Sequence, residues 1–121
     1  MSLSSPPARI LCVENNLPLL QVLTMGLEMR DFEVVTASHG IEALAKFYAY
    51  DGNFVAVLTD IKMPEMNGLE LVQRLRTDGF KGRVIVMSTH LTPVELRACH
   101  DLQVNGFFTK PFALDSLTSL L

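Results

Sequence analysis

Phe54-Val55-Ala56-Val57-Leu58-Thr59-Asp60-Ile61-Lys62-Met63-Pro64-Glu65-Met66-Asn67-Gly68 runs a stretch of apolar and β-branched residues into a carboxylate, then into a loop that ends on glycine. A short apolar run bounded by turn residues reads as a buried strand. A carboxylate at its C-terminal end faces the crevice where open α/β sheets place their ligands. Taken alone, an Asp after a strand is also a common turn former or helix cap. The rest of the chain decides between these roles for Asp60.

Outward from this stretch, β-branched apolar runs alternate with helical periodicity five times, the sequence form of repeated βα units and a parallel sheet. The strands are expected at Arg9 to Val13, Glu33 to Ala37, Phe54 to Thr59, Arg83 to Ser88 and Gly106 to Thr109. Ile41, Leu44, Ala45 and Tyr48 fall at i, i+3, i+4 and i+7, as do Gly68, Leu71, Val72 and Leu75, so each set is expected to lie on the sheet. Leu20, Leu23 and Leu27 mark the first helix, with Asn16 as its N-cap and Pro18 in its first turn. The last helix starts near Ala113 and presents Leu114, Leu117 and Leu121. Between Pro93 and Gln103 the stripe of Val94, Ala98 and Leu102 is thin, and looser packing is expected there. Right-handed crossovers with helices on both faces lead to an α/β fold: a doubly wound, five-stranded parallel sheet of order 2-1-3-4-5.

That order brings four strand ends together. Glu14 and Asn15 follow the first strand, Asp60 the third, Ser88 the fourth and Lys110 the fifth. Oxygen donors from Glu14, Asn15 and Asp60 suit a hard cation such as Mg²⁺. Lys110 and Ser88 opposite them suit two phosphoryl oxygens, and Asp60 is then placed as a nucleophile forming an acyl phosphate. Strand alternation lets only one of Ser88 and Thr89 face the pocket.

Composition bounds the remainder. The chain has 121 residues, 49% of them hydrophobic, which is one domain with enough apolar surface to close a core. A net charge of -3, with Lys and Arg scattered, argues against direct nucleic-acid contact. Cys12 and Cys99 lack metal-ligand spacing and read as reduced, buried thiols. No apolar stretch reaches the roughly 18 residues of a membrane span, and no signal pattern opens the chain, so a cytoplasmic protein is expected. Residues 1–7 read as a natural disordered end or a cloning remnant, and residues 8–121 as the domain. His39 and His100 read as surface or helix-end residues; Met25, Met29, Met63, Met66 and Met87 read as core or loop packing.

From Arg9 to Leu121 the ordered set Glu14-Asn15, Asp60 with Met63-Pro64 and Gly68, Ser88, and Lys110-Pro111-Phe112 resembles the response-regulator receiver domain, the CheY-like family of two-component signalling. The resemblance implies a phospho-accepting switch served by a sensor histidine kinase or a histidine phosphotransfer protein. It makes Asp60 the phosphorylation site, adds the backbone carbonyl of Lys62 to the Mg²⁺ shell and sets Lys110 on the phosphoryl group. It makes Ser88 and Phe107 the switch pair, and places Lys62 and His90 where the family tunes phosphate lifetime. Phe107 lacks a phenolic hydroxyl and is expected to favour a buried rotamer. A homodimer through the fourth helix, fifth strand and fifth helix is a further implication.

Receivers usually carry two acids after the first strand, whereas this chain has Glu14 and then neutral Asn15. Weaker Mg²⁺ binding is expected from the missing charge. Asn15 also keeps open a degenerate receiver that signals by contact alone. A phosphatase resembling the haloacid dehalogenases wants an acid two residues after its nucleophile, where this chain has Lys62. A flavodoxin-like FMN site wants hydroxyl and glycine donors, which Glu14-Asn15-Asn16-Leu17-Pro18 lacks.

Overall fold

A computed structural model describes residues 7–121, and the rest of the predicted N-terminal lead-in lies outside the described residues. The elements alternate strictly: β1 (Arg9–Val13), α1 (Leu17–Glu28), β2 (Glu33–Ala37), α2 (Gly40–Ala49), β3 (Ala56–Asp60), α3 (Gly68–Thr77), β4 (Arg83–Ser88), α4 (Pro93–Asp101), β5 (Gly106–Thr109) and α5 (Leu114–Thr118). All strand pairs are parallel and the order is β2-β1-β3-β4-β5, as expected. The third strand begins two residues later than the sequence suggests, at Ala56, and includes Asp60 itself.

Alternation along the strands sends side chains to two cores. Leu11, Val13, Val57, Val84 and Val86 meet α2, α3 and α4 on one face through Phe47, Leu71, Leu75 and Cys99. Ile10, Cys12, Leu58, Ile85 and Met87 meet α1 and α5 on the other through Leu20, Leu23, Leu27 and Leu117. The central strand β3 is buried on both faces along its whole length, which is why its sequence is continuously apolar rather than alternating.

The expected faces of α1 and α3 are the buried ones, but that of α2 is not. Ile41 and Tyr48 are exposed, and Gly40, Ala43 and Phe47 face the sheet instead. The large ring decides this rotation: Phe47 stacks on Phe54 and meets Phe80 edge-on, with centroids 5.9 and 5.4 Å away. Gly40 and Ala43 let the helix approach closely. In α4 the expected thin stripe holds only toward its C-terminal end, where Leu102 packs against the core, while Val94 is exposed and the buried anchor is Cys99. That helix is held at its N-terminus by a capping box between Thr92 and Glu95. Met63 and Met87 are buried as expected, whereas Met25 and Met29 lie outward on α1, because its three leucines already fill the contact with the sheet.

Candidate functional site

The C-terminal edge of the sheet carries the site. Glu14 extends the β1 ladder by one bond, its amide donating to the Ala37 carbonyl at 3.0 Å. Asp60 ends β3 in register with Met87, and Ser88 ends β4 in register with Thr109. The Lys110 amide donates to the Ser88 carbonyl at 2.7 Å, which fixes the start of the lysine just beyond β5. The Lys110-Pro111 peptide is cis.

Three charged side chains meet there. Lys110 Nζ donates to Glu14 Oε1 at 2.6 Å and to Asp60 Oδ2 at 3.2 Å. The other oxygens are held by backbone: Glu14 Oε2 accepts from the Asn16 amide and Asp60 Oδ1 from the Ile61 amide, each at 2.9 Å. Glu14 is fully buried and Asp60 nearly so. Burial raises the Asp60 carboxyl above its ordinary value, the Glu14 charge raises it further, and Lys110 only partly offsets them. Burial alone would lower Lys110, but its hydrogen bond to Glu14 and the two negative charges leave it above the ordinary lysine value.

One ammonium therefore faces two carboxylates. Among the described residues no group of three or more His, Cys, Asp or Glu side chains gathers as a metal cage. The donor set fits a hard cation of the Mg²⁺ kind, which takes few protein oxygens and keeps several waters: Glu14 and Asp60 carboxylates, with the Lys62 carbonyl and Asn15 amide in the adjoining loops.

Ser88 is buried at the pocket edge, but its hydroxyl is engaged in its own loop. It donates to the His90 carbonyl at 2.8 Å and accepts from the His90 amide at 3.1 Å. Thr89 and His90 are exposed beside it, as are Asn15 and the side chain of Lys62. Phe107 departs from its expected buried rotamer, being 50% exposed. It lies in register with Val86 on an edge strand, and the neighbouring α4 buries only Cys99. Sequence reasoning missed the Asn16 amide that orients Glu14, although an N-cap two residues after the acid is the signal for it. It also missed why Gly68 closes the loop. A Cβ there would lie 1.9 Å from the Asp60 carbonyl oxygen, and the Gly68 amide donates to the Ile61 carbonyl at 2.7 Å.

Fold and pocket together define a doubly wound domain with an acid, Asp60, clasped by a lysine at the strand ends. The response regulator receiver domain family matches residues 10–121, and the chain belongs to that family. It is 34% identical over 107 residues to the chemotaxis protein CheY1 of Helicobacter pylori, covering 86% of this chain and 86% of that one. It is 32% identical over 120 residues to a probable transcriptional regulatory protein of Picosynechococcus, covering 95% of this chain and 48% of that one. The chain spans about half the length of the transcriptional-regulator relatives it matches. Chemotaxis response regulator CheY4 of Vibrio cholerae has a similar structure, with a TM-score of 0.83 at 27% identity, covering 95% of this chain and 99% of that one.

Proposed function

We propose that the domain accepts a phosphoryl group on Asp60 from a partner's phosphohistidine and thereby switches an output surface. The observation that carries this reading is the clasp of Lys110 on a nearly buried Asp60 beside Glu14. Oδ1 is held by the Ile61 amide, which leaves Oδ2, on the Lys110 side, as the attacking atom. In the transfer the histidine N–P bond breaks, its electron pair returns to the imidazole, and an O–P bond forms on Asp60. Lys110 follows the phosphoryl oxygens as charge moves onto them, and the Ser88 hydroxyl leaves its turn with His90 to donate to a second oxygen. A Mg²⁺ ion held by Glu14, Asp60, the Lys62 carbonyl and Asn15 supplies neutralising charge when bound.

The phosphohistidine donor is a sensor histidine kinase or a histidine phosphotransfer protein. An apolar groove between α1 and the segment after β5, lined by Leu19, Leu23, Phe112 and Leu114, adjoins Lys110 and supports a helical donor docking there. Exposed Lys62 and His90 flank the pocket mouth and tune how long the phosphate lasts. Exposed Val94, Leu96 and Phe107 on α4 and β5 support a phosphorylation-dependent homodimer through α4, β5 and α5. Among the described residues no helix is long and apolar enough to cross a membrane.

Intact mass after incubation with a small phosphodonor and Mg²⁺ tests the reading. One phosphate adduct is expected in the wild type and none in Asp60→Asn. No adduct in the wild type, but one in Asn15→Asp, would instead favour a receiver that signals by contact alone.

A further inference from the structure

Arg76 gives its whole guanidinium to the backbone of other segments. It lies half-buried in the last turn of α3. Its Nε donates to the Leu102 carbonyl at 3.1 Å and Nη2 to the Gln103 carbonyl at 2.9 Å, while Nη1 donates to the carbonyls of Phe80 and Gly82, each at 2.9 Å. The guanidinium also lies over the Phe80 ring, 5.7 Å from its centroid. Among the described residues no carboxylate pairs with it.

Two of these carbonyls belong to the end of α4. The helix stops with Gln103 in the left-handed region at φ 57°, the Val104 amide donating to the Cys99 carbonyl at 2.9 Å and the Gln103 amide to the His100 carbonyl at 3.1 Å. That closure satisfies carbonyls one turn back and leaves those of Leu102 and Gln103 without a partner in the helix. Arg76 supplies the donors, and its charge meets the negative end of the α4 dipole. Just beyond, the Asn105 amide donates to the Val84 carbonyl and its Oδ1 accepts from the Val84 amide, both at 2.8 Å. Leu102 and Val104 pack on the core beside these bonds. The C-terminal end of α4 is thus tied to both α3 and β4.

The N-terminal end lacks such ties. Its capping box joins Thr92 only to Glu95, and from Pro93 to Arg97 no residue is buried. Just before the cap, Leu91 packs on the core but is only half-buried. The loop into this end starts at Ser88, whose hydroxyl is closed on His90.

We propose that Arg76 is the pivot of a lever: α4 swings about its C-terminal end, and the segment from Thr92 to Arg97 is the part of the output surface that moves when Ser88 leaves its turn. The trigger rests on the acceptor role proposed for Asp60, whereas the pin does not. A helix of 9 residues is about 13 Å long, so a shift of ~2 Å at Thr92 tilts its axis by roughly 8°. The Leu102 and Gln103 carbonyls, at the fixed end, stay on Arg76 through such a tilt. Without the pin the helix is free to shift as a whole.

Hydrogen–deuterium exchange of the chain, resolved by peptide mass, tests the pin before any phosphorylation. In the wild type, residues 94–97 are expected to exchange several-fold faster than residues 99–105. Arg76→Gln should speed exchange at 99–105 several-fold and leave β1 and β3 as they were, and Arg76→Lys, with one ammonium in place of the fork, should fall between. The same change at exposed Arg74 should have no effect on 99–105. Addition of a small phosphodonor and Mg²⁺, with the adduct read by intact mass, should then alter exchange at 88–97 alone in the wild type and out to 105 in Arg76→Gln, with neither change in Asp60→Asn. Wild-type protection of 99–105 in both Arg76 variants would overturn the proposal, as would an adduct that alters 99–105 as much as 88–97 in the wild type. An absent adduct would count against the acceptor role of Asp60 and not against the pin, which the first comparison decides alone.

Discussion

Lys110 Nζ sits closer to Glu14, at 2.6 Å, than to Asp60, at 3.2 Å. The lysine is therefore first of all the counter-ion of a fully buried glutamate, and only second a clasp on Asp60. Removing one partner of a buried pair strands the other charge in a low-dielectric site. Lys110→Ala is expected to destabilise the fold by about 3–5 kcal/mol, measured by urea unfolding, with Glu14→Gln in the same chain recovering much of the loss. If Lys110→Ala unfolds like the wild type, Glu14 is compensated by something other than this lysine.

Asp60 should behave in the opposite way. Burial and the nearby Glu14 charge raise its carboxyl above the ordinary value of 3.8. A group that binds its proton more tightly folded than unfolded makes stability fall as pH rises from the ordinary value through the raised one. Above that window the ionised carboxylate is a net cost to the fold. Asp60→Asn is thus expected to stabilise the domain at neutral pH by about 1 kcal/mol, a rise of ~2–6 °C in Tm. The gain should vanish near about pH 3, where the carboxyl is protonated in both states. Thermal melts of the two chains at both pH values decide it, and a gain that persists in acid would point to a cause other than the charge.

The strand ends were legible because β3 is buried on both faces: a continuous apolar run that stops at a carboxylate fits a core strand opening onto a pocket far better than it fits a surface turn. Glu14, Asp60 and Lys110 could be brought together from topology alone, since each follows its own strand. Rotational choices were not legible. In α2 two overlapping stripes satisfy the same period, and the choice depends on Phe47 meeting Phe54 and Phe80, residues distant in sequence. The outward Phe107 depends on how little of α4 reaches the core. Met25 and Met29 read as packing residues by type, while their exposure follows from three leucines already filling the buried side of α1.

Gly68 couples Asp60 to α3 by closeness alone. An added Cβ would lie 1.9 Å from the Asp60 carbonyl oxygen and 3.0 Å from the Ile61 Cα, both backbone atoms of a buried strand end that cannot rotate away. Gly68→Ala is expected to cost about 2–3 kcal/mol, as overpacking does, although alanine favours a helix start in isolation. Denaturant midpoints and the rate of phosphorylation should fall together. A variant that keeps wild-type stability would show that α3 moves freely relative to Asp60.

Asn15 offers the test of what one missing charge does to the Mg²⁺ binding proposed for this pocket. It is exposed beside Glu14, in the loop whose Asn16 amide already holds Glu14 Oε2, so a substitution there changes charge without unpacking the core. A carboxylate at this position would add a second negative charge next in the chain to Glu14. Unit charges about 4 Å apart interact by ~4 kcal/mol at an effective dielectric of ~20, before the cost of desolvating the new carboxylate is subtracted. Asn15→Asp is accordingly expected to tighten Mg²⁺ binding by roughly 10- to 100-fold and to leave Asp60→Asn unphosphorylated in either background. Calorimetric Mg²⁺ titration of the two chains gives the answer. Equal affinities would mean that the amide oxygen serves as well as a carboxylate, or that the metal is held by Glu14 and Asp60 without help from this loop.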